Sequence, residues 1–215
     1  MPLKSKSLFK ELRRVFVFSE MHALIARLAV LYEDLRIETF GIVAESLPKL
    51  DYTDSKYRSN YFLRRSIATL IEIAEAFRML DENPDFQRVK AKFDHQHTIR
   101  WKRAVWFFKR FEPVLEKVRN DIGGHFGHAA ARYALENMDS SVVGQIELSN
   151  ESPSKVGVKL HFAGDIAVTA MLRHKGNESS LEFATKIIRI VAIGYSQAIM
   201  GIDAINAYYL WDRFR

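Results

Sequence analysis

The sequence predicts a mainly α-helical protein, an antiparallel helical bundle into which one β-hairpin is inserted. Apolar residues recur every three or four positions over most of the 215 residues, which is the period of helices packed on a core. Polar links that contain proline or glycine separate these segments. Only between Val142 and Phe162 does the period change to two, which is the period of a strand.

The composition limits the class of protein. A hydrophobic content of 48% is enough for a sizeable core and excludes a disordered chain, and the formal charge of +6 favours anionic partners, either nucleic acid or a membrane surface. The absence of cysteine excludes disulfides, thiolate metal sites and a cysteine nucleophile. The longest uncharged run near the C-terminus, Ile190–Ile202, is shorter than the about 20 residues that span a bilayer. We therefore expect a soluble, cytoplasmic protein that does not associate with a membrane.

The first predicted helix runs from about Ser7 to Leu47 and ends before Pro48. Its apolar residues alternate in steps of four and three, as in the seam of a helix packed on another helix. These residues are Val17, Met21, Leu24, Leu28, Leu31 and Leu35. A second helix follows the polar linker Lys49–Asp54 and continues to about Leu80. Its apolar face consists of Leu63, Ile67, Leu70, Ala74 and Phe77.

Two further helices complete the predicted bundle. The third begins at Asn83–Pro84, which supply an N-cap and a first-turn proline, and continues to about Arg119 with Pro113 as a candidate kink. The fourth follows Gly123–Gly124 and ends near Met138. Four helices joined by short links are typical of an antiparallel bundle.

The hairpin and two more helices follow the bundle. Apolar residues alternate on both sides of the polar connector Ser149–Lys155, and they are Val142, Ile146, Leu148, Val156, Val158, Leu160 and Phe162. Gly164 then leads into a short helix that Gly176 ends. Ser179 and Glu182 form a capping-box pattern, which predicts a last helix running nearly to Arg215.

The candidate site is the helix-to-helix junction Arg119–His125. Its glycine pair allows a sharp turn that leaves backbone N–H groups free at the start of the next helix, where phosphate binds well. The guanidinium of Arg119 can donate two parallel hydrogen bonds to phosphate oxygens. We expect His125 in the first helical turn, where the helix dipole favours the neutral, base-competent imidazole. Asn120 could orient either group.

Arg119, Asn120 and His125 resemble the signature of the HEPN superfamily, helical nucleotide-binding and ribonuclease domains in which an arginine and a polar residue precede a histidine at short spacing. Arg88 and His95 also fall within the spacing that the signature permits, but Val89 follows that arginine in place of a polar residue, and we exclude this match. The resemblance covers roughly residues 7–138. It implies a HEPN-like bundle over residues 1–140, with the hairpin and C-terminal helices of residues 141–215 packed on the same domain.

The resemblance and the residues imply the same chemistry. His125 would take the proton of an RNA 2′-OH as that oxygen attacks the adjacent phosphate, and Arg119 would stabilise the phosphorane, without a metal or a cofactor. The family typically brings two motifs together across a homodimer interface, so a second histidine would serve as general acid. An antitoxin or another regulatory protein is a further expected partner. The alternative is a non-catalytic HEPN-like module that binds a nucleotide, RNA or a protein.

Two metal sites are weaker candidates. His128 could share a helix face with His125 and bind a metal with Asp121, but no further cluster of ligands stands nearby. Glu72 and Glu75 could belong to a di-iron bundle, but the Glu-x-x-His motifs of such bundles are absent from the sequence.

A basic and aromatic set on the third helix is a candidate surface for RNA. It consists of Lys102, Arg103, Trp106, Lys109 and Arg110, where the cations could receive the backbone and Trp106 could stack on a base. The alternative is a solvated basic face. The neighbouring stripe of Trp101, Val105, Phe108 and Leu115 is predicted to be core. The seam of the first helix and an apolar face of the last one predict a homodimer. That face consists of Tyr195, Ile199, Ile202, Ile205 and Leu210.

Overall fold

The structure, a computed structural model, describes residues 19–43, 52–122, 126–141, 146–149, 157–160 and 162–207, and the statements below concern these residues. They are mainly helical, which confirms the helical part of the predicted fold class. The helices are α1 (Glu20–Val43), α2 (Tyr52–Glu82), α3 (Pro84–Lys90), α4 (His95–Ile122), α5 (His128–Asn137), α6 (Ala163–Met171) and α7 (Ser180–Ile205). A 3-10 turn, Leu172–His174, follows α6.

The predicted seams of the first two helices are confirmed as core. In α1 the side chains of Met21, Leu24, Leu28, Leu31 and Leu35 are buried, while Val17 lies outside the described residues. They pack along α2, whose predicted face is buried at Ile67, Leu70, Ala74 and Phe77 and half-buried at Leu63. The two helices therefore use the helical period as the sequence indicates.

The third layer of the core is α7, which packs on both α2 and α4. At Gly201 the helices approach so closely that a Cβ atom would lie 2.6 Å from Cζ of Phe77. Phe77 in turn contacts the rings of Trp101 and Phe108, with ring centres 5.0 Å and 5.5 Å away. The aromatic residues of α2 and α4 thus form the centre of the molecule, and α7 closes over it.

The prediction of one helix from Asn83 to about Arg119 is wrong, because the chain forms α3 and α4 with a break between them. The start is as predicted: Asn83 Oδ1 accepts hydrogen bonds from the backbone N–H groups of Asp85 and Phe86. After Lys90 the chain turns, and Asp94 Oδ1 accepts from the N–H of His97 at 2.9 Å. Asp94 therefore acts as a second cap that begins α4.

Helix α4 runs through Pro113 to Ile122, and α5 begins only at His128, with Gly127 as its N-cap. The first turn of α5 therefore starts at His128, and the expectation that His125 occupies it is wrong. Gly123, Gly124 and His125 lie outside the described residues. The end of α5 at Asn137 agrees with the predicted end near Met138.

Two four-residue strands, β1 (Ile146–Ser149) and β2 (Gly157–Leu160), pair antiparallel. In their register Ile146 lies opposite Leu160, and Ser149 lies opposite Gly157. The connecting residues 150–156 and the strand side chains lie outside the description.

The capping box that begins α7 is confirmed. The Ser179 hydroxyl accepts from the N–H of Glu182, and the Glu182 carboxylate accepts from the N–H of Ser179 at 2.9 Å. The short helix before it ends earlier than expected, at Met171, and Gly176 lies beyond the 3-10 turn with a φ of 59°. The predicted extension of the last helix to Arg215 lies outside the described residues.

Among the described helices, α7 is long and apolar enough to cross a membrane, and its most apolar stretch is 44% buried within the chain. This is weak evidence for a membrane span, because the core helix of a globular domain has the same length and composition. Nothing else in the described residues indicates a membrane protein.

Candidate functional site

The last turn of α4 carries the first residues of the motif. Val118 and Ile122 are buried on the core side of this turn, so Arg119 is partly exposed and Asn120 is exposed. The helical period thus turns the first two predicted catalytic residues toward solvent.

Among the described residues, the guanidinium of Arg119 forms hydrogen bonds only with a neutral group. Its Nε and Nη2 donate long hydrogen bonds of 3.4 Å and 3.3 Å to Asn120 Oδ1, which is a neutral amide oxygen. Among the described residues no carboxylate lies within ion-pair distance of Arg119. Asn120 orients the arginine, and within the described part of the chain its charge is left available to an anion.

A cluster that the sequence analysis did not predict lies around Asp121. Its carboxylate, whose side chain is only 13% exposed, accepts from His174 Nε2 at 2.7 Å and from Arg173 Nη1 at 3.0 Å. Arg173 and His174 belong to the 3-10 turn after α6, more than fifty residues further along the chain. A contact between residues so far apart cannot be predicted from a single sequence, because only the packing of α6 brings the two segments together.

A backbone hydrogen bond ties the start of α5 to the same residue. The N–H of Gly127 donates to the backbone oxygen of Asp121 at 3.2 Å. His128 is exposed at the start of α5. The structure therefore brings Arg119 together with Asn120 and, separately, Asp121 together with the pair Arg173–His174, while the side chain of His125 lies outside the description.

The metal alternatives find no support. Among the described residues no group of three His, Cys, Asp or Glu side chains is placed to hold a metal ion. Asp121, the third ligand of the considered His125–His128 site, instead pairs with Arg173 and His174. Glu72 and Glu75 both face Arg27 of α1, at 3.6 Å and 2.7 Å. These two glutamates therefore belong to the interface between α1 and α2.

Three of the five residues predicted to bind nucleic acid line one groove of about 600 Å³. Lys102, Trp106 and Lys109 stand on its α4 side, and Trp106 is 60% exposed. Arg110 stacks over the Trp106 ring, with its guanidinium carbon 5.6 Å from the ring centre, whereas Arg103 is exposed and does not line the groove. The neighbouring stripe is confirmed as core: Trp101, Phe108 and Leu115 are buried and Val105 is partly buried.

The groove also contains an internally neutralised pair. Asp81 accepts from Lys90 Nζ at 2.7 Å and from Trp101 Nε1 at 2.9 Å. Burial would raise the pKa of Asp81, but these two hydrogen bonds outweigh burial and hold the pKa below its usual value. Lys90 is therefore satisfied within the chain. Lys102 and Lys109 have no carboxylate partner among the described residues, so they are the cations available to a ligand.

The groove and the motif are separate surfaces of one helix. Lys109 and Arg119 are ten residues apart in α4, which is about 15 Å along the axis. A ligand that touches both must therefore be extended.

Comparison with known proteins returns no similar chain. The resemblance to the HEPN superfamily therefore rests on Arg119, Asn120 and His125 and on the helical architecture around them. No family model, no curated protein and no solved structure matches this chain.

Proposed function

We propose that the chain is a metal-independent endoribonuclease of HEPN type that cleaves RNA through 2′-OH attack, with a composite site at a homodimer interface. The observation that carries the proposal is the state of Arg119. This arginine stands partly exposed at a helix end, and its described contacts go to a neutral amide. A buried Arg119 paired with a carboxylate would have favoured the non-catalytic module instead.

The proposed roles follow from what each side chain can do. Arg119 is permanently charged and offers a planar pair of donors, so it suits the charge that gathers on the phosphorane. Asn120 holds that guanidinium through its amide oxygen. His125 supplies the base that removes the 2′-OH proton, since imidazole titrates near neutral pH.

The groove on α4 supports an RNA substrate in particular. Trp106 offers an exposed aromatic face, and Lys102 and Lys109 stand on the same side without carboxylate partners in the described chain. Single-stranded nucleic acid binds where such rings stack on bases and such cations follow the backbone. We propose that RNA bound in this groove continues along α4 to Arg119. We also propose that the strands β1 and β2 form the inserted hairpin and shape one side of the site.

We propose a homodimer as before, but its interface would use a different surface from the one first expected. The surfaces first expected to form it are largely covered within the chain, because Ile202 and Ile205 of α7 are buried beside the seam of α1. The large apolar side chains left exposed on the described α1 are Val30, Ile37 and Phe40. A cytoplasmic location stays a prediction from the composition, and an antitoxin or regulatory partner stays a prediction from the resemblance.

The competing proposal is a module that binds nucleotide, RNA or a protein partner without cleaving. The groove favours it, because Lys102, Trp106 and Lys109 stand about 15 to 25 Å along the helix from Arg119 and could hold a ligand without it. Arg119 would then only stabilise the C-terminal end of α4 through the helix dipole.

The deciding experiment is RNA cleavage by the full chain in the presence of a chelator. His125→Ala and Arg119→Ala should each lower the rate by about two to four orders of magnitude. The products should carry 2′,3′-cyclic phosphate and 5′-hydroxyl ends, and a 2′-deoxy substitution at the cleaved nucleotide should abolish the reaction.

Arg88 and His95, the second arginine–histidine pair that the sequence analysis excluded, provide matched controls. Arg88 is exposed and paired with Asp85 at 2.6 Å, and His95 is exposed at the start of α4. Arg88→Ala and His95→Ala should keep the wild-type rate. Cleavage that survives in both motif variants, or that the chelator abolishes, contradicts the proposal. RNA binding without cleavage by the wild type favours the module.

A further inference from the structure

We propose that the groove on α4 selects one base of the bound RNA by its N–H groups, with guanine preferred, and that a free carboxylate oxygen of Asp81 accepts their hydrogen bonds. This inference rests on one part of the proposed function, the binding of RNA in the groove, and names the chemical feature of the RNA that is recognised. It is independent of cleavage, because the residues that it uses lie in the groove and not at Arg119.

The two sides of the groove differ in chemistry. Lys102, Trp106 and Lys109 on the α4 side suit the phosphates of an RNA and the face of one base. The polar lining that comes from the end of α2 and from α3 includes the acceptors of Asp81 and Gln87. An RNA that is held by the α4 side can therefore present the hydrogen-bonding edge of a base to acceptors.

Asp81 has one occupied and one free carboxylate oxygen. Lys90 Nζ donates at 2.7 Å and Trp101 Nε1 donates at 2.9 Å, and both hydrogen bonds end on Oδ1. Within the described part of the chain, Oδ2 accepts no hydrogen bond. The two donors fix the carboxylate, and its side chain is 35% exposed, so a ligand can reach it. Oδ2 is therefore a positioned acceptor in the groove.

The charge of Asp81 determines what Oδ2 can bind. Burial would raise the pKa of Asp81, but the hydrogen bonds from Lys90 and Trp101 hold it below its usual value, so the group is ionised at neutral pH. An ionised carboxylate accepts hydrogen bonds and donates none. Oδ2 therefore favours a base edge with N–H groups and disfavours a carbonyl oxygen.

The bases of a single strand differ in the N–H groups that they offer to such an acceptor. Guanine has two adjacent donors, the ring N1–H and the N2 amino group. Adenine and cytosine have one amino group each, beside an acceptor nitrogen. Uracil has only its ring N3–H, between two carbonyl oxygens that the carboxylate repels. We therefore expect the groove to prefer guanine, then adenine and cytosine, and to bind uracil most weakly.

The space at Asp81 extends beyond the groove. A second cavity of about 250 Å³ shares Asp81, Val105 and Lys109 with it. The lining of this cavity includes the buried rings of Phe77 and Phe108. The carboxylate therefore stands where two cavities meet, which leaves room beside it for the edge of a base.

The first test changes the RNA and not the protein. Octamers of uridine with 2′-fluoro sugars have no 2′-OH nucleophile and are not cleaved, and one central position carries guanosine, inosine or uridine. Fluorescence anisotropy should show that the guanosine octamer binds about five- to tenfold more tightly than the inosine octamer, which lacks only the N2 amino group. This comparison does not depend on the folding of any variant.

Asp81→Asn replaces the free acceptor by a donor. Lys90 and Trp101 require an acceptor where Oδ1 now lies, so the amide oxygen takes that position and the amide nitrogen takes the position of Oδ2. The variant should lose the preference for guanosine over inosine, and its affinity for the uridine octamer should rise. Thermal unfolding of the variant checks that the fold persists.

Glu82→Gln is the matched control, because it removes the same charge one residue further along. Glu82 is exposed, lies 3.7 Å from Arg78 Nη1 and is not part of the groove lining. Its loss should change the affinity for all three octamers alike and keep the wild-type ratio of guanosine to inosine. The ratio therefore separates recognition by Asp81 from a general effect of charge.

The outcomes distinguish this inference from the proposed ribonuclease. If the wild type cleaves RNA but binds the guanosine and inosine octamers equally, the role of Asp81 is overturned while the ribonuclease remains. The same holds if a folded Asp81→Asn variant keeps the wild-type ratio. A guanosine preference that Asp81→Asn removes, in a chain that cleaves no RNA, supports the role of Asp81 and overturns the ribonuclease. A chain that binds none of the octamers overturns the role of Asp81.

Discussion

Glu38 is a carboxyl group buried between α1 and α2, with only 5% of the residue exposed. Its Oε1 accepts from the Thr69 hydroxyl at 3.0 Å and lies 3.6 Å from Arg65 Nε. Its Oε2 has no hydrogen-bond partner among the described residues. Burial raises the pKa of Glu38 to about 7, and the contacts with Thr69 and Arg65 offset only part of that rise.

This residue should make stability depend on pH. Because the folded-state pKa lies above the ordinary value of 4.5, the stabilising contribution is complete below that value and is lost as the pH rises through about 7. Glu38→Gln removes the titration. Between about pH 4 and about pH 8 the difference in unfolding free energy should move in favour of the variant by about 3 kcal/mol. Urea unfolding measures this, and parallel pH profiles for the two proteins would contradict it.

Arg119→Lys separates charge from geometry at the motif. Lysine keeps the positive charge but cannot give two parallel hydrogen bonds to one phosphate. The variant should cleave RNA more slowly than the wild type and faster than Arg119→Ala, with most of the loss in kcat. Single-turnover rates measure this order, and a lysine variant as fast as the wild type would show that charge alone suffices.

Around the motif, the orientation of side chains on one helix could be predicted from the sequence, whereas contacts between distant segments could not. The outward placement of Arg119 and Asn120 follows from the helical period, because Val118 and Ile122 are apolar and turn inward. The Asp121–His174 contact depends on how α6 packs against the end of α4, and no local pattern encodes it.

At the scale of the elements, the contact of α7 with α2 is too close for any side chain at Gly201. Phe77, which a Cβ atom would strike, is itself fixed between Trp101 and Phe108. Gly201→Ala should therefore lower the unfolding free energy by about 1–3 kcal/mol, as overpacking of a core does. Ser196→Ala, at an exposed position of α7, is the control. Chemical denaturation that finds both variants equally stable would contradict this packing.

The groove on α4 predicts a measurable salt dependence. If Lys102 and Lys109 each contact one phosphate, Lys102→Ala combined with Lys109→Ala should reduce the slope of log affinity against log salt by about 1.4 for single-stranded RNA. Trp106→Ala should cost about 1–3 kcal/mol of binding through lost stacking, with the slope unchanged. Lys186→Ala on α7, where the lysine is paired with Glu178, is the control. An unchanged slope in the double variant would exclude the groove as the RNA surface.

The helices could be predicted from the sequence wherever a single apolar repeat of three to four residues extends over the whole helix. The seams of α1 and α2 and the caps at Asn83 and Ser179 are as the sequence indicates. The break before α4 was missed because the apolar period continues across it. The local signal was Asp94, a good N-cap residue three positions before His97, whose N–H it accepts.

At the scale of the whole molecule, the apolar faces of α1 and α7 were taken as surplus, but much of both is internal. What remains outside on α1 is Val30, Ile37 and Phe40, exposed by 58% or more. In a two-fold dimer the same patch meets its own copy, so these side chains suit an interface between two chains.

We expect light scattering to give a dimer mass at micromolar concentration. Ile37→Glu should shift the mass toward the monomer by placing a charge in the interface, whereas Ile188→Glu, at an exposed position of α7, should not. A wild-type monomer mass would count against the dimer and against a site built from two motifs.

The continuity of α4 has a consequence for where an RNA would be cut. The helix passes through Pro113 without interruption, so the distance from Trp106 to Arg119 is set by helical rise rather than by a linker. If one base of the RNA stacks on Trp106, its distance from Arg119 is fixed by the helix. The bond that is cleaved would then lie a constant number of nucleotides from that base. In RNAs of unrelated sequence, the number of nucleotides between the stacked base and the cleavage site should then be the same.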